Sequence, residues 1–343
     1  MRSAIKQAVF STLQWSGLNA LSRWSNRHSL FVLNYHGVME GDLSDQDQNI
    51  YCTTVGTEEF RGHLEFLVRH FNPVKATDVE AWIAGERDLP PRAVLLTFDD
   101  GRRNNLTHAG PLLRKYEVPA IVFLATSYMG SSRLLWPEEL HQFGLRWPHA
   151  EIPFPDAHGK FMLEGNRAAR AHELVGAAKR LPVEVLVPWL NDLRAQIQLP
   201  PELAASDLYA FLTWDEVRQL PRYGFEIGSH TVNHWIVTNC TAESLRYELQ
   251  ESKIEIERQL GSSCLSFCYP NGAAADWSPA AATAVRAAGY RLAYALPDRI
   301  QPRTPINAYA INRLAVPGSA PQEVFRASVS GTIGLLRAVD RGL

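Results

Sequence analysis

Val94-Leu95-Leu96-Thr97-Phe98-Asp99-Asp100-Gly101 is an apolar run that ends in two adjacent carboxylates and a glycine. A short run of this kind reads as a buried strand. Paired Asp before Gly serves as plain turn chemistry, because Asp caps its own backbone and Gly accepts positive φ. In barrels, however, the C-terminal end of a strand is where reactive groups project into the mouth. Comparable runs recur at 30–34, 120–124, 225–227, 265–269, 291–295 and 309–314, with helical patterns between them. Thr77 with Glu80, and Thr213 with Glu216, have capping-box spacing at helix starts. Residues 241–260 carry Leu245, Leu249, Ile256 and Leu260 on one face and stop at Gly261. Strands alternating with helices imply parallel pairing in a βα barrel or a doubly wound sheet.

One segment breaks the alternation. From about 131 to 212 there is no convincing strand, but there are several prolines, Trp136, Trp147 and Trp189, and helical stretches over 167–181 and 183–197. This predicts a helical insertion over one rim.

The 343 residues are 46% hydrophobic and 20% charged, the composition of a folded globular chain. With 34 Lys plus Arg against 36 Asp plus Glu, no basic excess points to nucleic acid. Cysteines at 52, 240, 264 and 268 make neither a disulfide framework nor a Cys-x-x-Cys pair. Cys264 and Cys268 read as two core residues on one face of a strand.

No run approaches the roughly 20 apolar residues of a membrane span. Arg2 and Lys6 precede apolar residues as in a signal peptide, but Gln7, Ser11, Thr12, Gln14 and Ser16 interrupt any apolar core, so the expected location is cytoplasmic. Ile5, Val9 and Leu13 recur at helical spacing, and the first 30 residues carry Arg2, Lys6, Arg23 and Arg27 without an acidic residue. That pattern suits a basic amphipathic helix in peripheral contact with an anionic membrane, or a surface helix docking its apolar stripe on the protein's own core.

A second motif, Gly228-Ser229-His230-Thr231-Val232-Asn233-His234, also follows a strand. Histidines at i and i+4 share one face if the segment turns helically, which lets two imidazoles bind one metal. One carboxylate with two imidazoles is a three-ligand set that leaves positions open for water and substrate.

Thr97-Phe98-Asp99-Asp100-Gly101 and His230-Thr231-Val232-Asn233-His234 resemble the first two motifs of the NodB-homology polysaccharide deacetylases, carbohydrate esterase family four. The resemblance spans about 30–314 and implies a distorted (β/α)7 barrel. It implies Asp99 as catalytic base and Asp100, His230 and His234 as ligands of one divalent metal, zinc foremost, with nickel, cobalt or iron as alternatives. The later motifs depart from the pattern. Phe267-Cys268-Tyr269-Pro270-Asn271-Gly272 keeps an aromatic and a proline at a strand end but has no arginine. Tyr269, Pro270 and Asn271 are the expected substrate contacts, with the Tyr269 N–H offered to an oxyanion. The usual C-terminal Leu-x-His is missing, since His234 is the last histidine. A circularly permuted branch, resembling the poly-N-acetylglucosamine deacetylases, takes its acid histidine from an N-terminal strand. Leu33-Asn34-Tyr35-His36-Gly37-Val38 matches it, making His36 the expected general acid. In the same branch Arg313 is expected to pair with Asp99 and keep it ionised.

The chain is thus expected to hold an amphipathic helix over 1–29, a barrel over 30–318 with the insertion at about 131–212, and a helical tail over 319–343. The activity implied is metal-dependent removal of an N-acetyl group from an amino sugar of a polysaccharide or its lipid-linked precursor. Deformylation of a lipid-linked amino sugar, or a catalytically silent glycan-binding protein, are the alternatives. The distance of His36 from Asp99 separates the silent reading from the others.

Overall fold

The computed structural model describes residues 17–41, 53–302, 306–318 and 321–332. Its centre is a ring of parallel strands: β1 (Phe31–Tyr35), β2 (Ala93–Phe98), β3 (Ala120–Leu124), β4 (Phe225–Ser229), β5 (Ser266–Cys268), β6 (Leu292–Ala295), β7 (Ile311–Asn312) and β8 (Leu314–Ala315). The hydrogen-bonded order is β7-β6-β5-β4-β3-β2-β1-β8. β7 and β8 are one extended segment divided at Arg313. Ile311 pairs with Tyr294 on one side, and Leu314 pairs with Leu33 on the other. The two ends of the sheet therefore meet on the same stretch of chain, giving a nearly closed seven-stranded barrel of (β/α) type. All seven expected strands are present.

Side-chain alternation along these strands explains what lies inside. Val32, Leu95, Ile121, Phe123, Cys268 and Tyr294 pack on one another within the ring. Phe31, Leu33, Leu96, Val122 and Phe267 face outward, onto helices that contribute Phe60, Leu64 and Leu249. Continued towards the strand ends, the same alternation turns Asn34, Thr97, Asp99 and Arg313 inward. Cys268 belongs to the inner cluster and Cys264 to the outer one. The same-face expectation for this pair fails because β5 begins only at Ser266, so strand alternation does not reach Cys264.

Helices α1 (Leu18–Ser25), α2 (Thr57–His70), α3 (Ala76–Ile83), α4 (Gly110–Tyr116), α5 (Trp136–Arg146), α6 (Arg167–Ala178), α7 (Val183–Gln196), α8 (Ala242–Leu260), α9 (Pro279–Ala287) and α10 (Gln322–Val329) complete the fold. Thr213 and Glu216 form the expected capping box. α3 starts before Thr77, and its N-terminal N–H groups go elsewhere. Asp78 accepts from Lys75, while Glu226 of β4 accepts from Ala76 and Thr77 at 2.5 and 3.2 Å. α8 is capped by Thr241 and ended by Gly261 in the left-handed conformation.

The segment between β3 and β4 carries α5, α6 and α7 around a core of its own that includes Trp136, Phe143, Leu174 and Trp189. It also contains an antiparallel hairpin, Glu151–Pro153 with Lys160–Met162, where no strand is expected from the sequence. At three residues each, these strands are too short to show a period. Residues 1–16, which include Ile5, Val9 and Leu13, and residues 333–343 lie outside the described set. Among the described residues no helix is long and apolar enough to cross a membrane.

Candidate active site

The C-terminal ends of the strands surround a cavity of about 210 Å³ lined by His36, Asp99, Asp100, His230, His234 and Asn271, together with residues of the insertion. Its floor is a buried ion pair. Arg313, at the barrel seam, donates from Nη1 to Asp99 Oδ1 at 2.7 Å and from Nη2 to Oδ2 at 2.8 Å. Asn34 Nδ2 adds a bond to Oδ2 at 2.8 Å, and Thr97 Oγ1 accepts from Arg313 Nη1 at 3.1 Å. Burial opposes ionisation of Asp99, but the charge and the paired hydrogen bonds of Arg313 outweigh it and hold the carboxyl well below the usual range. Oδ1 retains room for one more donor.

Asp100 is placed differently. Its Oδ1 is buried without a hydrogen-bond partner, and His234 Nε2 and His230 Nε2 face it at 3.4 and 3.7 Å. The His230 ring is fixed by donation from Nδ1 to the Cys268 carbonyl at 2.8 Å, which leaves Nε2 as the free acceptor. Burial pushes His234 down to about 3, so this imidazole is neutral, the form that ligates metal. The two rings do not share a helix face. Residues 230–234 form a loop in which Thr231 and His234 have φ of 68° and 59°, and the rings meet edge to face at 4.9 Å.

Four of the seven non-glycine residues with positive φ among those described lie here: Asp100, Thr231, His234 and Asn271. Each costs about 1–3 kcal/mol, so this backbone is held by its surroundings. Gly101, at φ 77°, takes a backbone conformation in which any side chain is strained, and a Cβ would also press on the ends of Leu124 and Met129 at 2.8 and 2.9 Å. The 230–234 loop is pinned by Glu248 of α8, whose buried carboxylate accepts from the N–H groups of Val232 and Asn233, both at 2.8 Å. In sequence Glu248 reads as one more charge on an amphipathic helix. Arg102 is likewise absent from the sequence reading. It is buried over the Phe211 ring, donates to the Tyr209 carbonyl at 2.8 Å, and contacts Asp100 Oδ2 at 3.4 Å and Glu138 of the insertion.

His36 follows β1 and faces the same cavity as Asp99 and Asp100. Burial lowers its pKa against the raising effect of both carboxylates. The expected substrate contacts divide. Asn271 lines the cavity, bonded to Lys179 Nζ of the insertion at 2.8 Å, and burial lowers that lysine to about 8. Tyr269 points outward. Its N–H is spent on the Tyr294 carbonyl at 3.1 Å, its hydroxyl on the Tyr309 carbonyl at 2.9 Å, and its ring stacks on Trp277. The oxyanion role expected for its N–H therefore fails, since β5–β6 pairing continues through Tyr269. Pro270 is buried and is not among the cavity-lining residues.

Two candidate donor sets exist among the described residues: Asp100, His230 and His234, and Asp99, His230 and Cys268. The second does not suit a cation. Both Asp99 oxygens are already hydrogen-bonded, and burial holds the Cys268 thiol protonated by pushing its pKa well up. The first set has an orphaned carboxylate oxygen facing two imidazole nitrogens, and it fits one divalent ion.

Fold and site together define a (β/α)7 barrel with a carboxylate–imidazole cluster at its mouth. The sequence model of the polysaccharide deacetylase family matches residues 86–293, and the chain belongs to that family. The Staphylococcus epidermidis poly-beta-1,6-N-acetyl-D-glucosamine N-deacetylase is 30% identical over 132 residues, which are 34% of this chain and 45% of that protein. The chain thus matches less than half the length of this curated relative. Among solved structures, the Streptococcus pyogenes deacetylase PplD in complex with acetate aligns with a TM-score of 0.58 at 16% identity, covering 88% of this chain and 98% of that one. A de-N-acetylase from Aggregatibacter actinomycetemcomitans aligns at 0.57 and 19% identity, covering 87% and 99%.

Proposed function

We propose that the protein hydrolyses the N-acetyl group of an amino sugar, in a polysaccharide or a lipid-linked precursor of one, with Asp100, His230 and His234 holding one divalent cation, zinc foremost. The observation that carries this reading is the contrast between the two carboxylates. Asp99 is hydrogen-bonded on both oxygens by Arg313 and on Oδ2 by Asn34, while Asp100 Oδ1 has no donor and is faced by two imidazole nitrogens. The N-deacetylase name of the staphylococcal relative supports a glycan amide as substrate.

The cation supplies Lewis acidity toward the acyl oxygen and toward an attacking water. Asp99, kept ionised by Arg313, accepts the water's proton at Oδ1. His36, across the same cavity, delivers a proton to the leaving amine, which departs slowly unprotonated. Asn271 and Lys179 hydrogen-bond the sugar, and Leu135, Pro137, Leu208 and Tyr209 of the insertion wall the cavity on one side. A precursor on a lipid carrier would bring the substrate to a bilayer, and peripheral membrane contact belongs to the same reading.

The test is amine release from N-acetylated and N-formylated amino sugars, free and lipid-linked, by protein of known metal content. Release from the N-acetyl compounds, reduced on the order of 100-fold or more in Asp99→Asn, supports the proposal. Release from the formyl compounds alone makes it a deformylase. No release from any of them supports a silent glycan-binding protein.

A further inference from the structure

α1 is an amphipathic helix turned inside out. Its polar face packs on the protein: Ser22 Oγ donates to the Ser330 carbonyl at 2.7 Å, Thr332 Oγ1 donates to Asn19 Oδ1 at 2.7 Å, and Arg23 Nη1 reaches Ser330 Oγ at 2.8 Å. On the opposite face Leu21 and Trp24 are 60% and 62% exposed, with Leu18 at 44%. Residues 18–25 thus turn their apolar side away from the protein, while the stripe expected from the sequence, Ile5, Val9 and Leu13, lies outside the described residues. The end of α10 offers hydroxyls and carbonyls, which select the polar side.

Cationic side chains flank this helix. Arg27 covers the Trp24 ring at 4.5 Å. Arg23 and Arg326 lie over Phe66 at 5.4 and 5.6 Å. The cleft between α1, α2 and α10 is lined by Arg23, Arg69, His70 and Arg326 together with Glu58 and Glu65. Both acids are engaged on their own side, Glu58 with Arg61 and Glu65 with Arg61 and Tyr116. The first 30 residues contribute no acidic side chain.

We propose that this face docks the protein on an anionic phospholipid bilayer, with Leu21 and Trp24 entering the interface and the arginines meeting lipid phosphates. This deepens the membrane contact named above but is independent of the reaction. At eight residues α1 is about 12 Å long, so it lies in the interface plane and does not span. Arg27 accepts a backbone bond from Arg92, just before β2, which places this edge at the end of the barrel opposite the active-site mouth. Docking therefore leaves the cavity open to glycan.

The experiment is flotation of the full chain with vesicles of phosphatidylcholine alone or with about one-third phosphatidylglycerol, at low salt and at about 0.5 M salt. The expected result is flotation with the anionic vesicles at low salt. Partitioning should fall on the order of tenfold or more in high salt, in Leu21→Ser/Trp24→Ser and in Arg27→Gln/Arg69→Gln. Absence of flotation, equal binding to neutral vesicles, or unchanged binding by both double variants overturns the proposal. A reversible dimer lost in Leu21→Ser/Trp24→Ser, with vesicles ignored, also overturns it and gives the face to a second copy. The wild-type lipid and salt series decides the matter even if a variant fails to fold. No sugar is present, so the outcome does not depend on whether the protein is a deacetylase.

Discussion

Arg313 and Asp99 lie 214 positions apart in the chain and meet in two parallel charge-assisted hydrogen bonds beneath the cavity. The fork needs a planar guanidinium, because an ammonium cannot reach both oxygens in this geometry. Truncating one partner of a buried pair costs about 3–5 kcal/mol, since the other charge is left uncompensated. We therefore expect Arg313→Met to lose about that much stability in urea unfolding at pH 7, and Arg313→Lys to recover only part of it. A change of less than about 1 kcal/mol in Arg313→Met would show the pair to be energetically idle.

His36→Ala should retain its fold and its metal while turnover falls. As the expected proton donor, His36 must be protonated in the active form, so the alkaline limb of the pH–rate profile reports it. In the variant that limb should shift or vanish. A normal rate with an unchanged limb would mean that another group protonates the amine.

Arg102 and Glu138 tie the insertion to Asp100. Both line the cavity, and their contacts with Asp100 and with each other give them the expected role of orienting the carboxylate. Arg102→Met should weaken zinc affinity by about 10- to 100-fold, the usual effect of removing a group that orients a metal ligand. Glu138→Gln keeps one acceptor for Arg102 and should lose less. Equal affinities in Arg102→Met and wild type, by competition with a chelating dye, would confine the pair to packing.

His63, stacked on Phe325, and His141, within the insertion, are pushed by burial from 6.5 to about 3 and about 4. The unfolded chain therefore binds more protons than the folded one below pH 6.5. Their stabilising contribution is complete above that pH and is lost as pH falls toward 3–4, at up to about 1.4 kcal/mol per pH unit for each. His63→Phe should lose less stability between pH 7 and 5 than wild type in urea denaturation. An identical pH dependence would remove His63 as a source of acid sensitivity.

The barrel was legible because each strand is a local apolar run bounded by turn residues, and all seven runs lie within the ring. What escaped the sequence is whatever depends on a distant partner or on backbone outside the regular wells. Glu226 caps a helix from across the barrel, and Glu248 holds the 230–234 loop from a helix whose charges look uniformly solvated. The His230–His234 spacing suggests a helical turn, yet two left-handed residues bring the rings together. Tyr269 stands at a strand end like a reactive residue, but the ladder runs through it and takes its N–H. Arg102 follows the Asp-Asp-Gly turn with no local cue to its partner in the insertion.

Calorimetric titration of metal-free, full-length protein with zinc is the most direct test of the account, because it separates the two adjacent carboxylates. The predicted result is one tight equivalent for wild type, affinity lowered on the order of 100-fold or more in Asp100→Asn, His230→Ala and His234→Ala, and binding within a few-fold of wild type in Asp99→Asn. Wild-type affinity in His234→Ala, or as large a loss in Asp99→Asn as in Asp100→Asn, would contradict it.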